Sequence, residues 1–114
     1  MSDGPSYLTF ADTDLDNTPE LIKVSEGRLF GWYLSNTTAS KIYVKLYEGA
    51  SSPTVGTTVP KMTFQVPANG SANAEFRGGI SFSQGIYAAC TTSPVASDTT
   101  DPGANACVAN FFYL

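Results

Sequence analysis

The sequence predicts an all-β protein, an antiparallel β-sandwich of about eight strands, and three observations carry that expectation. Residues 42–47 alternate strictly: Ile42, Val44 and Leu46 point one way, and Tyr43, Lys45 and Tyr47 the other. A half-buried strand requires this, because successive side chains leave opposite faces of the pleat. Turn residues punctuate the chain about every 8–12 positions, the spacing of sandwiches and barrels. No window of about ten residues carries the 3.6-residue period of an amphipathic helix. At 114 residues the chain is long enough to bury a real core. A single domain over 1–114 is expected, with an N-terminal arm within 1–26 left open.

In chain order, 6–10 make a short strand. A polar loop over 11–19 carries Asp12, Asp14 and Asp16. A weakly alternating second strand covers 20–25 and closes at Glu26-Gly27. Residues 28–34 and 42–47 then read as two strands joined by a turn over 35–40, whose short polar side chains bond to nearby backbone. In the first of them Phe30, Trp32 and Leu34 share one face and Leu29, Gly31 and Tyr33 the other. Both faces are apolar, so this strand is expected to be central and covered on both sides. The two strands hold the only Trp and three of the six Tyr. They read as the core hairpin, with Phe30, Trp32, Leu34, Ile42, Val44 and Leu46 at the centre.

Residues 50–60 form a loop of Ser, Thr, Gly and Pro, with room for a short edge segment near Val55. Pro60 cannot donate to a ladder, so the next strand begins after it, with Met62, Phe64 and Val66 on its apolar face. Asn69-Gly70 supplies the positive φ of a tight turn, and Ala72, Ala74 and Phe76 return as the partner strand. Arg77-Gly78-Gly79 breaks the pattern before a brief strand with Ile80 and Phe82. Another strand covers 86–92 and is stopped by Pro94. The loop over 94–105 is long for a hairpin connection, and such loops are often functional or held by a partner. The last strand, 106–114, puts Val108, Asn110, Phe112 and Leu114 on one face and Cys107, Ala109, Phe111 and Tyr113 on the other.

Charged residues are 14% of the chain, against roughly 25% in average proteins. Ser, Thr, Asn and Gly fill the surface instead. That suits a protein packed against partners, although a turn-rich sandwich uses the same residues. The net charge is −4, and the six basic residues are scattered. No phosphate-binding patch results, so no nucleic-acid partner is expected. No apolar run approaches the ~20 residues of a membrane span. The opening residues lack the basic and apolar regions of a signal peptide. The chain is therefore expected to be made in the cytoplasm and kept there, or built there into something larger. Without export, Asn36-Thr37-Thr38 and Asn69-Gly70-Ser71 read as turns rather than glycosylation sites.

Chemistry has little to stand on. His is absent, and Cys90 and Cys107 are the only thiols, which cannot complete a zinc site. They are expected as buried, reduced thiols on adjacent antiparallel strands joined by the 93–105 loop. Asp12-x-Asp14-x-Asp16 opens like a calcium loop. The continuation fails, with Asn17 where Gly is needed and Lys23 where a bidentate Glu is needed, and a solvated acidic loop is the plainer reading. Trp32, Tyr33, Tyr43, Tyr47 and Tyr87 offer aromatic faces for a sugar platform, but core or protein-contact roles fit their alternation better. There is no Gly-x-Ser-x-Gly elbow and no phosphate loop, and Gly78-Gly79 lacks the strand–helix context of a nucleotide site. No enzyme, and no catalytic, cofactor or metal residue, is expected.

The run from Gly31 to Tyr47, GWYLSNTTASKIYVKLY, resembles small structural proteins encoded by tailed bacteriophages. So do GISFSQGIYAA from Gly79, the SDTTD loop from Ser97 to Asp101, and the closing Val108-Ala-Asn-Phe-Phe-Tyr. The resemblance spans 27–114. It implies a virion component of the capsid decoration, or cement, type, with a jelly-roll-like β fold, carried as a homotrimer on the outside of the head and bound to the major capsid protein. It brings no catalytic residues. The alternative is a carbohydrate- or cell-surface-binding module on a phage tail fibre or spike. For attachment, the first dozen residues and the loops 50–60 and 93–105 are the expected parts, since loops and termini reach beyond a rigid sandwich.

Overall fold

Eight strands stack as two four-stranded antiparallel sheets in the computed structural model, which describes residues 6–114. They are β1 (Leu8–Asp12), β2 (Glu20–Lys23), β3 (Gly27–Asn36), β4 (Ile42–Glu48), β5 (Met62–Val66), β6 (Ser71–Phe82), β7 (Ile86–Thr91) and β8 (Cys107–Tyr113). One sheet has the order β1-β8-β3-β6 and the other β2-β7-β4-β5. The connections β1–β2, β2–β3, β3–β4, β5–β6, β6–β7 and β7–β8 each cross between sheets, six of the seven, and only β4–β5 stays within one. Eight strands wound in this order make a jelly roll.

Apart from Phe30, the alternation places the inner faces, but it mistakes the pairing. β3 and β4 are not a hairpin: β3 lies between β8 and β6, and β4 lies between β7 and β5, in the opposite sheet. Two strands that face each other across a core need the same inward apolar face as two that share a ladder, so periodicity cannot tell them apart. Asn36 builds the crossing between them. Its side-chain amide donates to the carbonyls of Ser40 at 2.8 Å and Val66 at 3.2 Å, and its oxygen accepts from the Thr38 amide and hydroxyl. The same correction applies to the 67–70 turn. Asn69 does take the positive φ, 50°, but the turn passes the chain from β5 to β6 in the other sheet. The Asn69 amide donates to the Thr38 carbonyl at 2.8 Å, tying the two crossings together.

The core lies between the sheets. Leu29, Trp32, Leu34, Ile42, Val44, Leu46, Ile86, Cys90, Cys107 and Phe111 are buried there. Trp32 of β3 stacks on Phe64 of β5 at 4.3 Å between ring centroids and meets Phe76 at 5.2 Å, so one side chain joins both sheets. Phe30 was expected beside it but faces outward. The ladders of β3 with β6 and with β8 shift register between Leu29 and Gly31. The extra residue of the bulge reverses the parity, so Leu29 and Trp32 both point inward. Gly31 makes the bulge fit, because the Ala74 carbonyl lies where a Cβ would stand. The break read at 77–79 is likewise an irregularity inside one continuous strand, β6, with Gly79 at φ 77°.

Cys90 and Cys107 do not sit on neighbouring strands. β7 and β8 belong to different sheets, and the thiols meet across the core, both free and both buried. The 93–105 loop joins the sheets rather than closing a hairpin. The hydrogen bond that the Cys90 thiol makes to Cys107, together with burial, pushes the Cys90 thiol well up, which keeps it protonated and inert. β1 and β2 are paired strands of the two sheets. Any arm is thus confined to the chain before Leu8, of which residues 1–5 lie outside the described residues.

Candidate functional site

The two outer faces of the sandwich differ in kind. On β4 and β7 the outward residues are Tyr43, Lys45, Tyr47, Tyr87, Ala89 and Thr91, and all but the half-buried Tyr43 are buried. The chain over 49–61 and 92–106 covers them. Val55 packs on Tyr47, Tyr87 and Ala89 as a second, small core, so the segment near Val55 is a packed loop and not an edge strand. The Lys45 ammonium donates to the carbonyls of Val95 at 2.8 Å and Asp98 at 3.2 Å. Burial lowers the Lys45 pKa, and the Asp98 charge works against that. Asp98 organises the loop from inside. Its carboxylate accepts from the Ser93 amide at 3.1 Å and the Thr100 hydroxyl at 2.8 Å. Burial raises its pKa, but these bonds and Lys45 outweigh it, so the group lies below its ordinary value. The two loops touch, since the Thr99 methyl stands where a Cβ on Gly56 would go. Val59 and Val95 remain exposed on this loop surface.

The outer face of β1-β8-β3-β6 is open. Phe30 and Tyr33 from β3, Phe112 from β8, Glu75 and Arg77 from β6, and Tyr7 ahead of β1 line a cleft of about 500 Å³. Tyr7 stacks on Phe30 at 4.6 Å, and Tyr33 stands edge-on to Phe112 at 5.0 Å. The Tyr33 hydroxyl donates to Glu75 at 2.9 Å, and that bond, then the carboxylate's charge, raises the Tyr33 pKa. Glu75 and Arg77 both face solvent, and among the described residues Arg77 makes no ion pair. Chemically the cleft offers aromatic faces, one carboxylate and one guanidinium.

The expected aromatic platform is not assembled. Trp32 is in the core, Tyr47 and Tyr87 lie beneath the loops, Tyr43 flanks Gln65 on the other sheet, and only Tyr33 reaches the cleft. Phe30 and Phe112 were missed as surface residues because an apolar residue in a strand reads as core. Asp12, Asp14 and Asp16 cap backbone instead of converging. Asp12 accepts from the Asp14 amide, Asp16 from the Thr18 amide, and Asp14 from the Asn105 amide at 2.7 Å. Among the described residues no three carboxylates or thiols are placed to hold a metal ion. Glu20 beside them is raised by burial and then by the charges of Asp12 and Asp16. No family model, no curated protein and no solved structure matches this chain.

Proposed function

We propose that the protein is a capsid decoration protein of a tailed bacteriophage, a homotrimer on the outside of the head that binds the major capsid protein and bridges neighbouring subunits. It acts through contact alone, with no part for nucleic acid, membrane or catalysis, and its place is the virion surface. The observation that carries this reading is the loop layer over β2-β7-β4-β5. Two long loops, the usual carriers of mobile function, are here fixed as one surface by Lys45, Asp98 and the Val55 cluster, and that surface offers Val59 and Val95 to a partner. A cement contact needs such a preformed surface, because little ordering entropy is then lost on binding. Three linked copies raise avidity over a single site by ~10²–10⁴.

The test compares particles with and without the protein under heat and osmotic shock, and counts copies per particle. Attachment through this surface predicts hardened particles, copies in multiples of three, and a large loss of copies for Val59→Asp with Val95→Asp. Equal resistance with and without the protein refutes the cement role. The aromatic cleft favours a second reading, a carbohydrate- or cell-surface-binding module on a tail fibre or spike, which a few copies confined to the tail would support.

A further inference from the structure

We propose that the cleft between Phe30, Tyr33 and Phe112 is a binding site for a neutral saccharide, with one pyranose ring laid against the aromatic wall and its hydroxyls bridging Glu75 and Arg77. The site sharpens the second reading above but holds equally for a protein mounted on a head, with the loop layer against the shell and the opposite face turned outward.

The size, about 500 Å³, falls in the range of roughly 300–1,000 Å³ typical of small-molecule sites, which pair apolar walls with a few convergent polar groups. The walls are rings rather than aliphatic chains, and their orientation is set within the fold. Tyr33 stands 77° to Phe112, and Tyr7 lies nearly parallel to Phe30, at 29°. A ring's face carries partial negative charge, and the C–H face of a pyranose presents the complementary partial positive charge. The rim of that sugar is hydroxyls, each both donor and acceptor.

Glu75 supplies acceptors and is already positioned by the Tyr33 hydroxyl at 2.9 Å. Arg77, two residues along the same strand, supplies a planar fork of donors. The pair sums to no net charge, so a neutral ligand is matched and a phosphate or carboxylate is not drawn in. An acyl chain would leave the carboxylate and guanidinium without use beside it. The cleft lies on the outer face of the sheet, so a terminal or internal residue of a glycan enters without threading.

The test uses the full chain free in solution and the methyl glycosides of glucose, galactose, mannose and N-acetylglucosamine, with their β-linked disaccharides, by saturation-transfer and amide-shift NMR. At least one glycoside is expected to receive saturation at its ring protons, with shifts confined to Tyr7 and to β3, β6 and β8 around the cleft. Tyr33→Ala and Phe112→Ala should weaken it by about tenfold or more, equivalent to 1.4 kcal/mol. Because Phe112→Ala risks the fold, the exposed pair Glu75→Gln and Arg77→Gln carries the test on side chains that the core does not use, with a loss of comparable size. Absence of transfer across the panel overturns the proposal, as does transfer that survives Tyr33→Ala, or cleft shifts that grow with protein concentration alone, which would assign the cleft to a second copy. Free protein is measured throughout, so a negative result leaves the copy count on particles, and the cement reading, untouched.

Discussion

β4 and β3 hold equivalent central places in their sheets, yet their outer faces have opposite fates. β4 sends out Tyr43, Lys45 and Tyr47, a pattern that reads as a solvent face, and two of the three are buried. β3 sends out Phe30 and Tyr33, which read as core, and Tyr33 is 44% exposed. The difference lies in the loops. The two longest connections, 49–61 and 92–106, leave β4 and β7 and fold back over their own sheet. No long loop of the described chain folds over the other sheet, where Tyr7 stacks on Phe30. The polarity of a strand's outer face therefore says less about its burial than the length of the loops that leave it. β7 makes the point in full, buried over all six residues.

The layer shared by both faces should give the largest effect. Trp32 is 5% exposed and stacks between the sheets, so Trp32→Ala should cost about 3–5 kcal/mol in urea unfolding. An unchanged midpoint would remove the indole from the core. The comparison between faces is then tested directly. Lys45→Met leaves the Asp98 carbonyl without its ammonium donor and should cost about 1–3 kcal/mol, with faster amide exchange across 93–100. Tyr33→Ala on the open face should stay within about 0.5 kcal/mol. Equal losses would collapse the distinction.

A smaller effect of opposite sign is expected at Tyr47, whose buried hydroxyl has no partner. Tyr47→Phe should raise stability by up to about 1 kcal/mol, since a buried unsatisfied donor is a cost. A loss of that size would mean that the hydroxyl is bonded in solution.

The subtlest test is of pH. Glu48, at the end of β4, accepts from the Ser83 hydroxyl and amide and pairs with Lys61 at 3.0 Å. The Ser83 bonds, then the lysine, pull its pKa from 4.5 to about 2. A depressed carboxylate contributes stability that is fully present above the ordinary pKa and is lost as pH falls towards the folded one. Denaturation midpoints taken from pH 5 down to pH 2 should therefore fall more for the wild type than for Glu48→Gln; parallel curves would disprove the linkage.

Much of the fold is legible in the sequence, because alternation reports which side chains turn inward. Seven of the eight strands and five of the six residues expected at the centre, Trp32, Leu34, Ile42, Val44 and Leu46, follow from it, the Asn69 turn follows from its Asn-Gly pair, and β6 alone reads as two strands split at 77–79. Partnership is not legible, as β3 and β4 demonstrate, because facing and neighbouring strands obey one pattern. Phe30 fails for a different reason: a bulge shifts parity by one residue and leaves no mark in polarity, although Gly31 is its trace. The cleft was hidden by the same bulge, and by the 44 positions separating Tyr33 from Arg77 along the chain.

The winding of the chain between sheets has a kinetic consequence. β1 has one ladder partner, β8, the last of the eight strands to be made. The first sheet therefore cannot close until β8 has been made, and only the β4–β5 hairpin can form from neighbours in sequence. Topologies of such high contact order fold in milliseconds to seconds rather than microseconds, and their unpaired edges stay exposed meanwhile. A nascent chain of this kind holds Leu8 and Phe10 in waiting for Tyr113 and Phe111, and its yield in the cell should depend on chaperones more than its final stability would suggest.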